Sequence, residues 1–336
     1  GRYWDTRDEG ITGDGEEQDS GRLAAGATYQ IPIAGRPGVP EGAQGIVANL
    51  TVIAPDTVGF ATLFPCTAEV PDASTVNYFA GDVVANNVIV PLSADGDVCL
   101  YTLEGADFAL DINGYVDPDA PELMVEPARY LDTRGGEYDT FDGESAETAR
   151  ATAGGVTRVR IADRGDVPAD ATAAIVNVTT VLPDDNGFVS LVPCDGVVPE
   201  TSTVNFLAGQ IVPNGAVAAL SDGKLCIYAS TGVDILVDVT GYIPGNVASI
   251  STSDPVRIFD SRPDARLAAQ TPVRIDVSET ASAAFFNVAT VVADGPGFVS
   301  VYPTEADGTC STTVPGTSNV NYVAASLRAN NAFTKL

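Results

Sequence analysis

Arg2-Tyr3-Trp4-Asp5-Thr6-Arg7 returns as Arg129-Tyr130-Leu131-Asp132-Thr133-Arg134, and again as Arg257-Ile258-Phe259-Asp260-Ser261-Arg262, at offsets of 127 and 128 residues. Further landmarks keep the same order behind each copy. Asn49 precedes Gly59-Phe60 and Pro65, as Asn177 precedes Gly187-Phe188 and Pro193, and Asn287 precedes Gly297-Phe298 and Pro303. A Ser-x-Val-Asn-aromatic run follows at Ser74–Tyr78, Ser202–Phe206 and Ser318–Tyr322. Nine residues beyond Asn77, Asn205 and Asn321 stand Asn86, Asn214 and Asn330. Chance does not hold so many spacings, and a fixed long period is the signature of a repeat architecture. The chain is three copies of one module.

The first two copies close alike. Cys99-Leu100-Tyr101 leads to Asp111-Ile112-Asn113-Gly114-Tyr115, and Cys226-Ile227-Tyr228 leads to Asp238-Val239-Thr240-Gly241-Tyr242. The third copy is shorter between Arg262 and Asn287, and its last residue, Leu336, aligns with Leu220 of copy two. Expected modules therefore span 1–117, 127–244 and 255–336, the third without its last strands. Asp117-Pro118-Asp119-Ala120-Pro121 and the stretch from Pro244-Gly245-Asn246 are read as short Pro-bearing linkers, which suggests semi-rigid beads in a row.

Within a copy, short runs rich in Val, Ile, Thr and aromatics alternate in burial character and are broken by Gly, Pro, Asn and Asp. In copy one these predict strands over Thr28–Ile33, Gly45–Ile53, Gly59–Phe64, Thr75–Phe79, Val84–Leu92, Asp97–Leu103 and Asp107–Tyr115, with a short one near Tyr3–Thr6. No helical period stands out. Eight strands with turns every 8–12 residues favour an all-β antiparallel sandwich or jelly roll, with a closed barrel second.

Charge narrows the partners. Forty-five Asp and Glu stand against 17 Lys and Arg, a net of −28. Such a surface repels nucleic acid and anionic lipid, so neither is expected as a partner. The absence of histidine removes Ser/His and Cys/His nucleophiles and His-ligated zinc. A non-enzyme is expected; carboxylate pairs such as Asp111 with Asp5 would be the only candidates, and they recur uniformly in place of marking one module. No stretch approaches the roughly 18 apolar residues of a transmembrane helix. The chain starts at Gly1 with no leader-like segment, so a signal peptide is expected to have been removed.

The five cysteines sort by repeat. Cys66, Cys194 and Cys310 each lie eight residues before the Ser of the Ser-x-Val-Asn run, and Cys99 and Cys226 share a second site. Cys66–Cys99 and Cys194–Cys226 are the economical disulfides, each closing about thirty residues and worth roughly 3–4 kcal/mol; free buried thiols are the alternative. Disulfides point outside the cell. The partner of Cys310 is expected about thirty residues after it, past Leu336, if the sequence is a fragment of a longer repeat array, or else in another chain that pairs with it or completes its module.

Arg2, Asp5 and Arg7, with Arg129, Asp132 and Arg134 and with Arg257, Asp260 and Arg262, read as an ion-pair clamp at the entry to each module rather than a sugar or carboxylate site. Asn49, Asn77, Asn86 and their counterparts (177, 205, 214; 287, 321, 330) read as satisfiers of backbone groups at strand ends and bulges. Asn49-Leu50-Thr51 and Asn177-Val178-Thr179 match the glycosylation sequon, but both fall inside strands and Ala289 breaks the match in copy three. Acidic loops at Asp8–Asp19, Glu137–Glu147 and Asp184-Asp185-Asn186-Gly187 would suggest calcium. None has the spaced calcium-loop pattern, so a solvated acidic face with no cofactor is the expectation.

Taken together, Arg-x-x-Asp-Thr-Arg, Asn-Val-Thr…Gly-Phe-Val…Pro, Ser-Thr-Val-Asn-Phe and Asp-Val-x-Gly-Tyr resemble a repeat module of secreted and cell-wall-associated actinobacterial proteins. The resemblance covers nearly the whole chain and implies an extracellular, non-catalytic module. The expected role is structural or interactive: an array of β modules in a surface layer, stalk, adhesin or filament, with copies of itself as partners. The alternative is an array that binds carbohydrate or cell-wall glycan, though Trp4 is replaced by Leu131 and Phe259 in the other copies.

Overall fold

The computed structural model describes residues 1–336 except 67–68, 118–123, 137, 147, 193, 195–200, 246–255, 263–265, 279, 306–307, 312–318 and 325. Most of both expected linkers lies outside the described residues.

The first module is built from β1 (Arg2–Asp5), β2 (Thr28–Pro32), β3 (Gly45–Ile53), β4 (Gly59–Pro65), β5 (Val76–Tyr78), β6 (Val83–Pro91), β7 (Asp97–Thr102) and β8 (Asp107–Val116). They form two four-stranded antiparallel sheets, β1-β8-β3-β6 and β2-β7-β4-β5. This is the two-sheet jelly-roll order, in which the strands late in sequence insert between early ones. The second module repeats it with β9 (Met124–Asp132), β10 (Val156–Arg160), β11 (Ala171–Val181), β12 (Gly187–Val192), β13 (Val204–Phe206), β14 (Ile211–Ala219), β15 (Lys224–Ala229) and β16 (Asp234–Pro244). Its sheets are β9-β16-β11-β14 and β10-β15-β12-β13. The all-β sandwich reading is correct, and the strands fall within two residues of their expected bounds.

Each complete module has its own apolar interior. Trp4 lies at the centre of the first, stacked between Tyr29 and Phe108 at centroid distances of 5.2 and 5.9 Å, with its Nε1–H donated to Ser20 Oγ. Leu131 takes the same place in the second, among Val178, Leu225, Val237 and Phe206. Alternation drives this: in β7, Val98, Leu100 and Thr102 face inward, while Cys99 and Tyr101 face out.

The third module has β17 (Ala283–Val291), β18 (Gly297–Val299), β19 (Val320–Tyr322) and β20 (Leu327–Lys335). They pair only as β17-β20 and β18-β19. In the complete modules β8 and β16 lie between two strands of one sheet, and β7 and β15 between two strands of the other. Among the described residues of 255–336 no strand is the counterpart of either. Among the described residues the segments equivalent to β1 and β2 form no strand.

The modules do not follow one another as beads in a row. Strands β6, β14 and β20 pack on one another, and β5, β13 and β19 each touch the neighbouring module's strand of that set. Hydrogen bonds join the first module to the second, the second to the third and the third back to the first. The arrangement is a closed ring about a pseudo-threefold axis. The Pro-bearing connections are short, but linker composition does not decide geometry when the modules carry complementary faces. Met124, at the start of β9, is buried with Val47, Ile89 and Ile175 between modules one and two, with Val116, Val217 and Phe333 against the same cluster.

Candidate functional site

Asn86, Asn214 and Asn330 sit on β6, β14 and β20, and each crosses to the next module. Asn86 Nδ2 donates to Thr75 O in its own module (2.6 Å) and to Asn177 Oδ1 on β11 (2.8 Å), while its Oδ1 accepts from Gly215 N (3.0 Å). Asn214 repeats this with Thr203 O (2.6 Å), Asn287 Oδ1 (2.9 Å) and Asn331 N (3.0 Å). Asn330 closes the circle on Asn319 O (2.5 Å), Asn49 Oδ1 (2.9 Å) and Asn87 N (2.8 Å). In return, Asn177 donates to Ser74 O and Asn287 to Ser202 O across the same joints.

The carboxamide suits this task because it offers two donors and an acceptor in one plane. In all three modules the inter-modular Asn therefore spends its capacity on one intramodular carbonyl and two groups of its neighbour. A buried set of this kind is specific, since each partner removed leaves several others unsatisfied. Expected satisfiers of local backbone, the first and third Asn of each repeat turn out to hold modules together. The second Asn is local: Asn77 Nδ2 donates to Ser74 Oγ (3.1 Å) and Asn205 Nδ2 to Ser202 Oγ (2.8 Å), while Asn321 lies opposite Phe298 in the β18–β19 pair. Asn49 and Asn177 are buried, so the folded chain offers neither sequon to a glycan.

The Arg-x-x-Asp-Thr-Arg clamp lies in the same row of side chains. Register places Asp111 beside Asn49 and Asn49 beside Asn87, and Asp238 beside Asn177 and Asn177 beside Gly215. Arg2 Nε donates to Asp111 Oδ1 (2.9 Å) and its Nη1 to Asp5 Oδ2 (3.1 Å), while Arg7 Nη2 donates to Asp5 Oδ2 (2.6 Å). Burial works against the Asp5 carboxylate, yet the bonds from Arg7 and the charge of Arg2 outweigh it and hold its pKa below the ordinary value. In module two Arg134 grips Asp132 (2.6 Å) and Arg129 grips Asp238 (2.9 Å). Here the clamp also serves the ring: Asp238 Oδ2 accepts from Ser74 N of module one (3.1 Å), and Arg129 reaches Asp72 at 3.8 Å. Burial disfavours the Arg129 charge, but Asp238 and Asp72 more than offset it and hold its pKa above the ordinary value.

Two further arginine sets recur that the sequence reading did not single out. Arg36 and Arg164 are buried, lie over Tyr3 and Tyr130 at 4.9 and 4.8 Å, and bind Asp14 and Asp142. Bonds from these arginines push both carboxyls down to about 2. The signal was present as Arg-x-x-Val-Pro, at Arg36–Pro40 and Arg164–Pro168. Arg22 and Arg150 each tie three loops together, through Asp56 and Asp107 and through Asp184 and Asp234. Asp14, Asp142 and Asp184, in loops expected to be solvated or to suggest calcium, thus face arginine, while Glu137 and Glu147 lie outside the described residues. Among the described residues no three His, Cys, Asp or Glu side chains gather to hold a metal.

Cys66–Cys99 and Cys194–Cys226 are disulfide-bonded, tying the loop after β4 to β7 and the loop after β12 to β15. Cys310 is a free, half-buried thiol. It lines a hollow of about 4100 Å³ where the third module meets the other two, together with Phe259, Ile275 and Phe286 of module three, Ile175 and Val217 of module two and Val47 of module one. Phe259 is 40% exposed, where its counterparts Trp4 and Leu131 are 0%. The third clamp is built, with Arg257 and Arg262 bound to Asp260 at 3.2 and 2.8 Å, but stands in the open. No helix of the described residues is long and apolar enough to cross a membrane. Comparison with known families, characterised proteins and solved structures returns no match to this chain.

Proposed function

We propose that this chain is an extracellular structural or interaction protein, not an enzyme, whose working unit is the closed three-module ring. The observation that supports this best is that the repeated polar residues are spent on architecture. Arginine clamps lock strands, and asparagines lock modules, in the same way around the axis. An active site breaks the symmetry of a repeat; among the described residues the clamps and the inter-modular asparagines recur alike from module to module. The two disulfides favour an oxidising compartment. The strongly acidic surface favours solubility at high salt or among divalent cations. The motif resemblance to secreted and cell-wall-associated modules points the same way.

Trapping cysteines by alkylation in cells that make the protein, with fractionation of envelope and medium, tests the reading. Four oxidised cysteines in the envelope or medium fraction are expected. Cytosolic protein with reduced Cys99 and Cys226 would sink it.

One observation favours the glycan-binding alternative. Phe60 with Tyr101, and Phe188 with Tyr228, form half-buried tilted pairs 6.0 Å apart at the same place in modules one and two. Retention on a glycan array that is lost in Tyr101→Ala and Tyr228→Ala variants would promote it above the structural reading. Trp4 plays no part in such a surface, being fully buried.

A further inference from the structure

We infer that one end of the ring is a self-docking face, on which a second copy of this chain stacks about a two-fold axis perpendicular to the ring axis. This deepens the structural reading above by naming the surface and the partner, and it rests on that reading.

The face is built by the turns that lead into the three axial strands. β6, β14 and β20 pack on one another, so the turns before them meet around the axis at one end. Phe79, Leu207 and Val323 open these turns. Beside each turn stands the residue that follows β3, β11 or β17. Ala54 N donates to Asp82 O (2.8 Å), Leu182 N to Gln210 O (2.9 Å) and Val292 N to Ser326 O (2.9 Å). All three have left-handed backbone, with φ of 46°, 47° and 51°. That region is costly for leucine and more so for a β-branched valine, and strain of this kind collects at functional surfaces. In this conformation Leu182 and Val292 are each 56% exposed, beside Val323 at 51% and Phe79 at 38%. Leu182 and Phe79 belong to the complete modules, so the exposure is a property of the repeat. Apolar groups held in water around one axis mark an interaction surface.

Charge selects the occupant. Residues 79–84, 207–212 and 323–328 carry one acid, Asp82, and one base, Arg328, in a chain of net charge −28. In the adjoining loops Asp56, Asp184 and Asp294 are already matched by Arg22, Arg150 and Arg266. Copies that repel one another elsewhere can therefore approach at this end. Arg328 stands where modules one and two have Val84 and Val212. It is half-buried, and its hydrogen bond goes to the uncharged Gln210 Oε1 at 3.4 Å. Burial pulls its pKa below the ordinary value, and the charge of Asp82 offsets this only in part. Such a guanidinium gains from a further carboxylate. Three two-fold axes lie across this end, one through each module. The axis through module two sets Asp82 of each copy over Arg328 of the other, and Gln210 over its own counterpart. The axis through module one sets Asp82 over Asp82, and the axis through module three sets Arg328 over Arg328. Only the first is attractive, so the pair is isologous and in one register, with Phe79 against Val323 of the second copy.

The test is sedimentation equilibrium of the full chain. Reversible dimers with no higher species are expected, because a face-to-face pair covers both docking ends. Phe79→Asp with Leu182→Asp, both on exposed turns, should weaken pairing at least about tenfold. Asp82→Arg and Arg328→Asp should each weaken it about tenfold, since each sets like charges together at both contacts. Mixed in equal amounts, those two variants should pair again at nearly the original strength, each copy then meeting the opposite charge twice. Recovery in the mixture cannot arise within one chain. A monomer at every concentration, open-ended oligomers, or dimers that ignore Phe79→Asp with Leu182→Asp overturn the inference. So does a mixture that fails to recover while both variants keep the circular dichroism of the unaltered chain. A monomer whose binding of an apolar dye is lost in Phe79→Asp with Leu182→Asp overturns the second copy in favour of a partner of other chemistry. Small-angle scattering at dilutions where copies part separates the two claims: a compact chain that never pairs refutes the face alone, and an extended chain refutes the ring.

Discussion

Replacing Asn330 with alanine attacks the joint that no chain connectivity enforces, because it links module three to module one across 281 residues of sequence. The side chain is 1% exposed and makes three hydrogen bonds, to Asn319 O, Asn49 Oδ1 and Asn87 N. At about 1 kcal/mol net per bond the loss is about 3 kcal/mol, and more where the three orphaned groups find no water. Against the 5–15 kcal/mol of an ordinary domain this is large. It should be felt at the joint first. Denaturant titration gives the total, and hydrogen exchange at the Asn87 amide gives the local opening. Asn205→Ala, which removes one intramodular bond to Ser202 Oγ, serves as the comparison and should cost about 1 kcal/mol. A double-mutant cycle with Asn49→Ala isolates the cross-module pair and should return a coupling of about 1 kcal/mol. Equal effects of Asn330→Ala and Asn205→Ala, with Asn87 still protected, would refute the reasoning.

Gly215→Ala should open the joint between modules one and two, because a Cβ there would sit 2.2 Å from the Asn87 carbonyl oxygen; a loss of about 2–3 kcal/mol by denaturant titration is expected, against no measurable change for Gly135→Ala, which has nothing within 4 Å. Removing Cys194–Cys226 by a double serine substitution frees a loop of 32 residues and should cost about 3–4 kcal/mol, read as the gap between the variant and oxidised protein. Acid should weaken the fold through Asp14 and Asp142. Their folded pKa of about 2 lies below the ordinary 3.8, so the stability they add is complete above about pH 4 and is lost as pH falls toward 2. After allowance for solvent around these partly exposed groups, about 1 kcal/mol each is expected. Circular dichroism against pH should show a shallower acid slope in Asp14→Asn with Asp142→Asn.

The fold was legible because its signals are local. Gly45–Ile53 reads as a strand from nine residues, and Gly59-Phe60 or Asp97 mark where strands begin. The disulfides were legible for the same reason: repetition put Cys66 in register with Cys194, and Cys99 with Cys226. The ring was not. Asn86 and Asn177 are 91 residues apart, and a spacing that recurs inside each module carries no information on which module a side chain faces. Asn at a strand is explained equally well by a local carbonyl, and Asn86 does bind one, Thr75 O, while also crossing the joint. Arg36 and Arg164 escaped notice because a buried arginine in a Gly- and Pro-rich loop looks like any solvated charge until its aromatic and carboxylate partners are placed around it. The sheet order, which places β7 and β8 in the centre of their sheets, was not legible either.

Small-angle X-ray scattering of residues 1–336 tests the closed ring most directly. A compact chain of 336 residues has a radius of gyration of about 20 Å, whereas three touching modules in a row give about 30 Å. A value near 20 Å that rises in Asn330→Ala is the expected result. A value near 30 Å for the unaltered chain would contradict the ring.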